Sequence, residues 1–336
     1  MAHSNSSLNC FASCMAKYEH NYIKHTKPCR PPSPHLTFGT MAHEVLEKAG
    51  KLRDEIRDGV VDNDAYYSVI PSELLYNDLK REFSIDNWKQ YFMPVIKQVA
   101  TYEYDLIRDM ITLENRKDIQ VEREVKLQLT PEQLRELGYY GITQSVVGVI
   151  DLLITSKDSA VICDYKFSST RKGQDEFDMN SQLQLYALLV HINYDIPLHN
   201  IKIGYIDIPK QTLTKPIVLS NGTLSRAKSQ NVSQELYEMA VTAIHGDDPY
   251  YHCKEGGYYH DIWCNLAFVK PAYLTMQYLD LDAFGGITND VLLAAAMIEH
   301  MKEHNLPFLK KYDSYSCKSC EYVDSCKPWT IVGGFN

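Results

Sequence analysis

Apolar residues along this chain recur at helical spacing in some stretches and at strand-like density in others. From Thr40 to Arg57, Met41, Val45, Leu46 and Leu52 fall on one face of a predicted helix. Another helix is expected to start at Pro71-Ser72-Glu73, and a long one to run from about Asn87 to Leu113. Strand-like runs follow, at Gln120 to Leu129, Ser145 to Ile154 and Ala160 to Phe167. Gln182 to Ile192 reads as a helix, Ile201 to Ile208 as a strand and Gln211 to Leu219 as another. Helices near Ser233 to Ile244 and Val291 to His304 come before a cysteine-rich tail. This order predicts an α+β fold with a small central mixed sheet flanked by helices. We expect a single domain over residues 1–336, with a helical insertion at 52–117, the sheet core at 118–220 and C-terminal helices from 221.

The densest chemical information sits in the central hairpin. Thr155-Ser156-Lys157-Asp158-Ser159 is turn material, and a turn centred on Lys157 and Asp158 pairs Asp151 with Asp164. Their Cβ atoms would then be about 5 Å apart on one face, and Lys166, two residues on, points to that face too. Facing like charges destabilise a sheet unless something offsets them. A divalent cation with hard-oxygen preference, Mg2+ or Mn2+, suits the two carboxylates, and the Tyr165 carbonyl could add a ligand. Lys166 would orient an attacking water and stabilise developing negative charge. Taken alone, D-x-K fits surface charges on an edge hairpin as readily.

Other candidates surround it. His43 opens an amphipathic helix, where a lone histidine is more often a packing or surface residue than a ligand. Gln182 and Tyr186, four apart, share a helix face behind the Lys166 strand; Gln182 could hydrogen-bond Lys166 and Tyr186 could meet a phosphate. A capping Gln and an interfacial Tyr would give the same spacing. Arg171 and Lys172 follow in a loop that is either solvated or grips a phosphate backbone. Cys317, Cys320 and Cys326 aim three thiolates at one centre, and Cys10, Cys14 or Cys29 would supply a fourth. His252, Cys253, His260 and Cys264 form a weaker second cluster.

Composition narrows the class. The 45% hydrophobic content and 11% aromatics fit an ordered globular protein. No apolar run is expected to reach membrane-spanning length, the longest being near Leu292 to Ile298 and broken by charge. The N-terminus has neither a basic n-region nor an apolar h-region, so an intracellular location, cytoplasmic or nucleoid-associated, is expected. Nine cysteines in a reducing interior point to metal or redox chemistry. A net charge of −9 excludes a coating of positive charge but not a local basic groove. No G-x-x-x-x-G-K-[ST] occurs, so no ATP-driven motor is expected within these residues.

In order, Gly39 to His43 (G-x-x-x-H), Gly148 to Asp151 (G-x-x-D), Asp164 to Lys166 (D-x-K) and Gln182 to Tyr186 (Q-x-x-x-Y) resemble the PD-(D/E)xK nuclease superfamily, in its RecB-type branch. The C-x2-C-x5-C tail resembles the iron–sulfur subgroup, which includes the AddB nuclease domain and CRISPR-adaptation exonucleases. The opening from Ser6 to Tyr18 is similar to that subgroup's S-x-L-x-x-F-x-x-C-x-x-x-Y, which selects Cys14 as the fourth ligand. The resemblance implies a restriction-endonuclease-like fold whose termini are tied by a [4Fe–4S] cluster, although four thiolates also suit Zn2+. It implies a DNA nuclease in which His43, Asp151 and Asp164 bind Mg2+ or Mn2+, with Glu122 or its rival Glu124 at an acidic position. The substrate would be single-stranded DNA or DNA ends, with a helicase or a recombination and repair protein as partner. A non-catalytic end-binding subunit and a CRISPR-adaptation trimming nuclease are the alternatives.

Overall fold

The computed structural model describes residues 2–30, 34–57, 88–114, 118–168, 173–178, 180–209, 234–264, 269–311 and 314–326. The apolar face predicted from Thr40 belongs to a helix, α3 (Pro34–Arg57), on which Met41, Val45 and Leu46 are buried. It follows β1 (His3–Ser4), α1 (Asn5–Ser13) and α2 (Met15–Tyr18), and precedes α4 (Trp88–Glu114). Strand β2 (Gln120–Leu129) matches its predicted span. A short helix, α5 (Pro131–Glu136), then leads to the hairpin of β3 (Val146–Thr155) and β4 (Ala160–Ser168). Next come α6 (Gln174–Asp178), α7 (Ser181–Tyr194), β5 (Ile201–Pro209) and α8 (Gln234–His245). The chain continues through α9 (His260–Cys264), β6 (Tyr273–Tyr278), α10 (Leu281–Glu303), α11 (Ser314–Ser319) and α12 (Val323–Cys326). The helix expected at Pro71 and the strand expected at Gln211 lie outside the described residues.

The fold is α+β: a mixed sheet between two helical layers. Strand β3 pairs antiparallel with β2 and β4, β4 pairs parallel with β5, and β5 antiparallel with β6. On one face α3, α4 and α8 cover Leu152, Ile154, Cys163 and Ile206. On the other, α1, α7 and α10 cover Ile150, Leu153, Ile162 and Ile203.

Two differences from the sequence reading matter. Helix α10 is longer than predicted and, by length and composition, apolar enough to cross a membrane. Its Leu292, Ala295 and Ile298 pack into the core beside α7, and its Glu299 is buried against His3, so here it is a core helix. Strand β1 was not anticipated. It pairs parallel with the start of β3, His3 facing Val146 and Ser4 facing Val147. Strand β4 pairs only with the far half of β3, from Leu152–Cys163 to Thr155–Ala160. Between these partners β3 comes to a fork, and Asp151 stands at it.

Candidate active site

The hairpin register agrees with the turn chemistry, since Ser156 N–H donates to the Ser159 carbonyl at 2.9 Å and the two hydroxyls lie 2.7 Å apart. Asp151 and Asp164, however, are not a ladder pair. Pairing stops at Leu152–Cys163, and the Asp151 carboxylate itself accepts the Tyr165 N–H at 2.8 Å. Core alternation also skips at this point. Val146, Ile150 and Leu153 face one layer, whereas Leu152 and Ile154 face the other. Strand β2 switches faces at the matching position: Val121 packs against the α3 layer, Val125 and Leu127 against the α7 layer. Between them Glu124 has φ +52, a left-handed conformation uncommon for a residue with a Cβ. Two neighbouring strands thus turn over together, which opens the sheet so that helices of both layers reach one spot.

From the α3 side comes His43, whose Nδ1 is 3.6 Å from Asp151 Oδ1. Ligand atoms of His43, Glu124 and Asp151 lie within 4.8 Å of one another. Burial holds the His43 pKa below its ordinary value, against the pull of Asp164, which leaves a neutral imidazole with a free lone pair. Burial and, after it, the Asp164 charge push the Asp151 pKa well above the usual aspartate value. Asp164 is 3% exposed, and its Oδ2 has no aligned hydrogen-bond donor although Lys166 Nζ lies 2.6 Å away. One imidazole and three crowded carboxylates, one with a spare buried oxygen, fit a hard divalent cation. Glu122 does not join them. The flip at Glu124 sends it to the other face, where it accepts the Tyr194 hydroxyl at 2.8 Å.

From the α7 side come Gln182 and Tyr186. Gln182 Oε1 accepts from Lys166 Nζ at 3.0 Å, while its Nε2 donates to Asp164 Oδ1 at 2.9 Å and to the Tyr186 hydroxyl at 2.8 Å. Exchanging the amide O and N would break the bonds to Lys166 and Asp164, so those two partners fix the orientation of Gln182. Lys166 also lies 5.4 Å from the centroid of the Tyr205 ring. The Tyr186 hydroxyl, its pKa raised by burial, keeps its proton. Its ring lies against Gly148: a Cβ there would come 2.8 Å from Cε1 and 2.6 Å from Leu189 Cδ1. The glycine of G-x-x-D therefore makes room for the tyrosine of Q-x-x-x-Y.

At the far end, Cys14, Cys317, Cys320 and Cys326 line one cavity of about 30 Å³. The two terminal segments clasp around it. Lys17 pairs with Glu321 at 3.2 Å, His20 stacks on Tyr322, and Ala16 N–H donates to the Leu309 carbonyl at 3.2 Å. Burial raises the Cys10 thiol to about 11, and Cys29 donates its thiol to the Glu321 carbonyl at 2.9 Å. The weaker cluster converges only in part: Cys264 Sγ lies 3.6 Å from His260 Nε2, without the other two side chains. The Cys253 side chain is in the core, its thiol pushed up to about 12 by burial, and only its backbone carbonyl meets His260, at 3.1 Å. Arg171 and Lys172 lie outside the described residues.

No curated protein matches the sequence. Among solved structures the chain is similar to a protein from Eubacterium rectale provisionally named an exonuclease, at 11% identity, over 94% of this chain and 91% of that chain, with a TM-score of 0.36. The family model of the PD-(D/E)XK nuclease superfamily matches residues 2–327, and the chain belongs to that superfamily.

Proposed function

We propose that this chain is a Mg2+- or Mn2+-dependent deoxyribonuclease of the RecB-type branch, an exonuclease acting on single-stranded DNA or DNA ends. The observation that carries the reading is Lys166, clamped between Asp164 and Gln182 beside the donor group of His43, Glu124 and Asp151. His43, Asp151 and Asp164, with Glu124 and the Tyr165 carbonyl, would hold the cation. Bound there, it would supply Lewis acidity toward a phosphoryl oxygen and lower the pKa of a water. The Lys166 ammonium aligns that water and offsets charge building on the phosphate. Gln182 fixes the ammonium, and Tyr186 offers its O–H to a phosphate oxygen. Arg171 and Lys172 would grip the backbone of the strand beyond. The whole of 1–336 would act as one intracellular nuclease domain, with a helicase or a recombination and repair protein supplying the motor.

We assign Cys14, Cys317, Cys320 and Cys326 to a [4Fe–4S] cluster that ties the termini together, the four lining a common cavity. Zn2+ is the competing occupant, and metal analysis with visible absorption separates the two.

The test is cleavage of end-labelled linear single-stranded DNA with Mg2+ or Mn2+. Wild type should cut and Lys166→Ala should not, while Cys320→Ala should lose iron and melt earlier. Equal cutting by Lys166→Ala would sink the active-site assignment. DNA binding without cutting by wild type would favour an end-binding subunit.

A further inference from the structure

Behind the site, on the α3 side of the sheet, lies a buried set of charges that the hydrolytic reading leaves without a role. Arg123 of β2, its side chain 3% exposed, donates from Nη2 to Glu103 Oε2 at 2.7 Å and from Nη1 to Oε1 at 3.3 Å. Its Nε donates to Asp54 Oδ2 at 2.8 Å, and Arg53 also reaches Glu103. The Tyr165 hydroxyl donates to Glu103 and accepts from Arg123 Nη1 at 3.3 Å. Gly50 of α3 lies flat on this guanidinium: a Cβ there would come 2.4 Å from Arg123 Cζ. Two helices and two strands are thus joined at one point.

Stability alone is a poor account of such a set, because buried ion pairs seldom outdo apolar packing of similar volume. Its placement gives a better one. Arg123 directly precedes Glu124, whose left-handed backbone turns its carboxylate toward the site. Tyr165 stands between Asp164 and Lys166, and its N–H holds Asp151 at 2.8 Å. Arg53 and Asp54 anchor the helix that carries His43. Every element that brings a donor to the site is therefore held by this one network, β3 through the Tyr165 N–H.

We propose that Glu103, Arg123 and the Tyr165 hydroxyl are positioning residues that keep His43, Glu124 and Asp151 in cation-binding geometry before the cation arrives. The cation's identity rests on the nuclease reading. Tyr165 is the joint: its side chain belongs to the ion network and its backbone to the metal site.

Tyr165→Phe keeps the ring and removes the link. The expected result is a rise of about tenfold in the Mn2+ Kd measured by calorimetry, as for other partners that orient ligands. The Mn2+ concentration for half-maximal cleavage should rise in parallel, with the rate recovering at saturating Mn2+. Tyr194→Phe, which removes the hydroxyl on Glu122 across the same strand, should leave Mn2+ affinity unchanged. Glu103→Gln weakens the hold on two guanidinium groups and lowers stability broadly, so the hydroxyl variant is the informative one. Wild-type Mn2+ affinity in Tyr165→Phe, with a lower Tm only, would overturn the proposal. Equal weakening by Tyr194→Phe would overturn it as well. Mn2+ binding without cleavage by wild type would refute the nuclease reading, while a weakened Kd in Tyr165→Phe would still support the positioning role. Absence of Mn2+ binding by wild type would overturn both.

Discussion

Gly148→Ala places a methyl group where the Tyr186 ring already is. The new Cβ would come within 2.6 Å of Leu189 Cδ1, 2.8 Å of Tyr186 Cε1 and 2.9 Å of Tyr186 Cδ1. The ring cannot swing away cheaply, since Tyr186 is 5% exposed and its hydroxyl is held by Gln182. Helix α7 must therefore lift from β3 by several tenths of an ångström, and overpacking of this kind costs about 1–3 kcal/mol. At about 2.1 cal/mol/K per residue the unfolding entropy of 336 residues is about 0.7 kcal/mol/K, so 2 kcal/mol lowers Tm by about 3 °C. The effect on cleavage should be larger. Moving Tyr186 loosens Gln182, and through it both Asp164 and Lys166; misplacement near 1 Å at a reacting centre costs about a hundredfold in rate. We expect a loss of about tenfold or more, read as initial cleavage rates beside circular-dichroism melts. A variant that melts within about 1 °C of wild type and cuts at its rate would refute the packing of α7 on β3 described above.

Other perturbations probe separate parts of the molecule. Burial alone would raise the Glu103 pKa, but Arg123 and Arg53 outweigh it and hold it at about 2. A carboxyl with a lowered folded pKa stabilises fully above its unfolded value of about 4.5 and loses that contribution as pH falls toward 2. The stability difference between wild type and Glu103→Gln should therefore shrink between pH 4.5 and 2, by about 3 kcal/mol in chemical denaturation, and a difference constant with pH would contradict the pairing. Glu299 pairs with His3 at 2.9 Å and accepts the backbone N–H groups of Thr143 at 2.9 Å and Gln144 at 3.0 Å. Glu299→Ala strands all three, so we expect a loss of about 3–5 kcal/mol, a fall in Tm of about 4–7 °C. Asp164→Ala should abolish cleavage while its iron content stays at the wild-type level; iron loss in that variant would tie the hairpin to the clasp at the termini.

The sequence told most where local chemistry dictates geometry. The β3–β4 register followed from the turn residues around Lys157 and Asp158, and α7 from the helical stretch Gln182 to Ile192, to which the structure adds an Asn180 cap. Four-residue spacing put Gln182 and Tyr186 on one face, and the Gln182–Lys166 bond was expected from the helix that follows the strand; the bond to Asp164 was not. What escaped was set by tertiary packing. Nothing in V-E-R-E-V-K marks Glu124 as left-handed, so period-two alternation placed Glu122 and Glu124 on one face, and the strand separates them. The register counted back from the turn paired Asp151 with Asp164, whereas the strands part there because a carboxylate takes the place of a ladder carbonyl. Strand β1 is two residues long, too short for periodicity to register. The start of α10 was missed because Gly285-Gly286 reads as a break, yet it lies within a helix capped at Asp280.

The bond between His3 and Glu299 spans 296 positions of the chain. Loop closure of that length is slow to find, although its added entropic cost grows only with the logarithm of the separation. On the ribosome the residues of the hairpin and α7 emerge and can pair while α10 is still unmade. Strand β1 can pair beside Val146 once β3 is made, whereas the Glu299 partner of its His3 arrives only with α10. A chain whose α10 has not docked would therefore hold β1 at Val146 without the side-chain bond that ties His3 to Glu299.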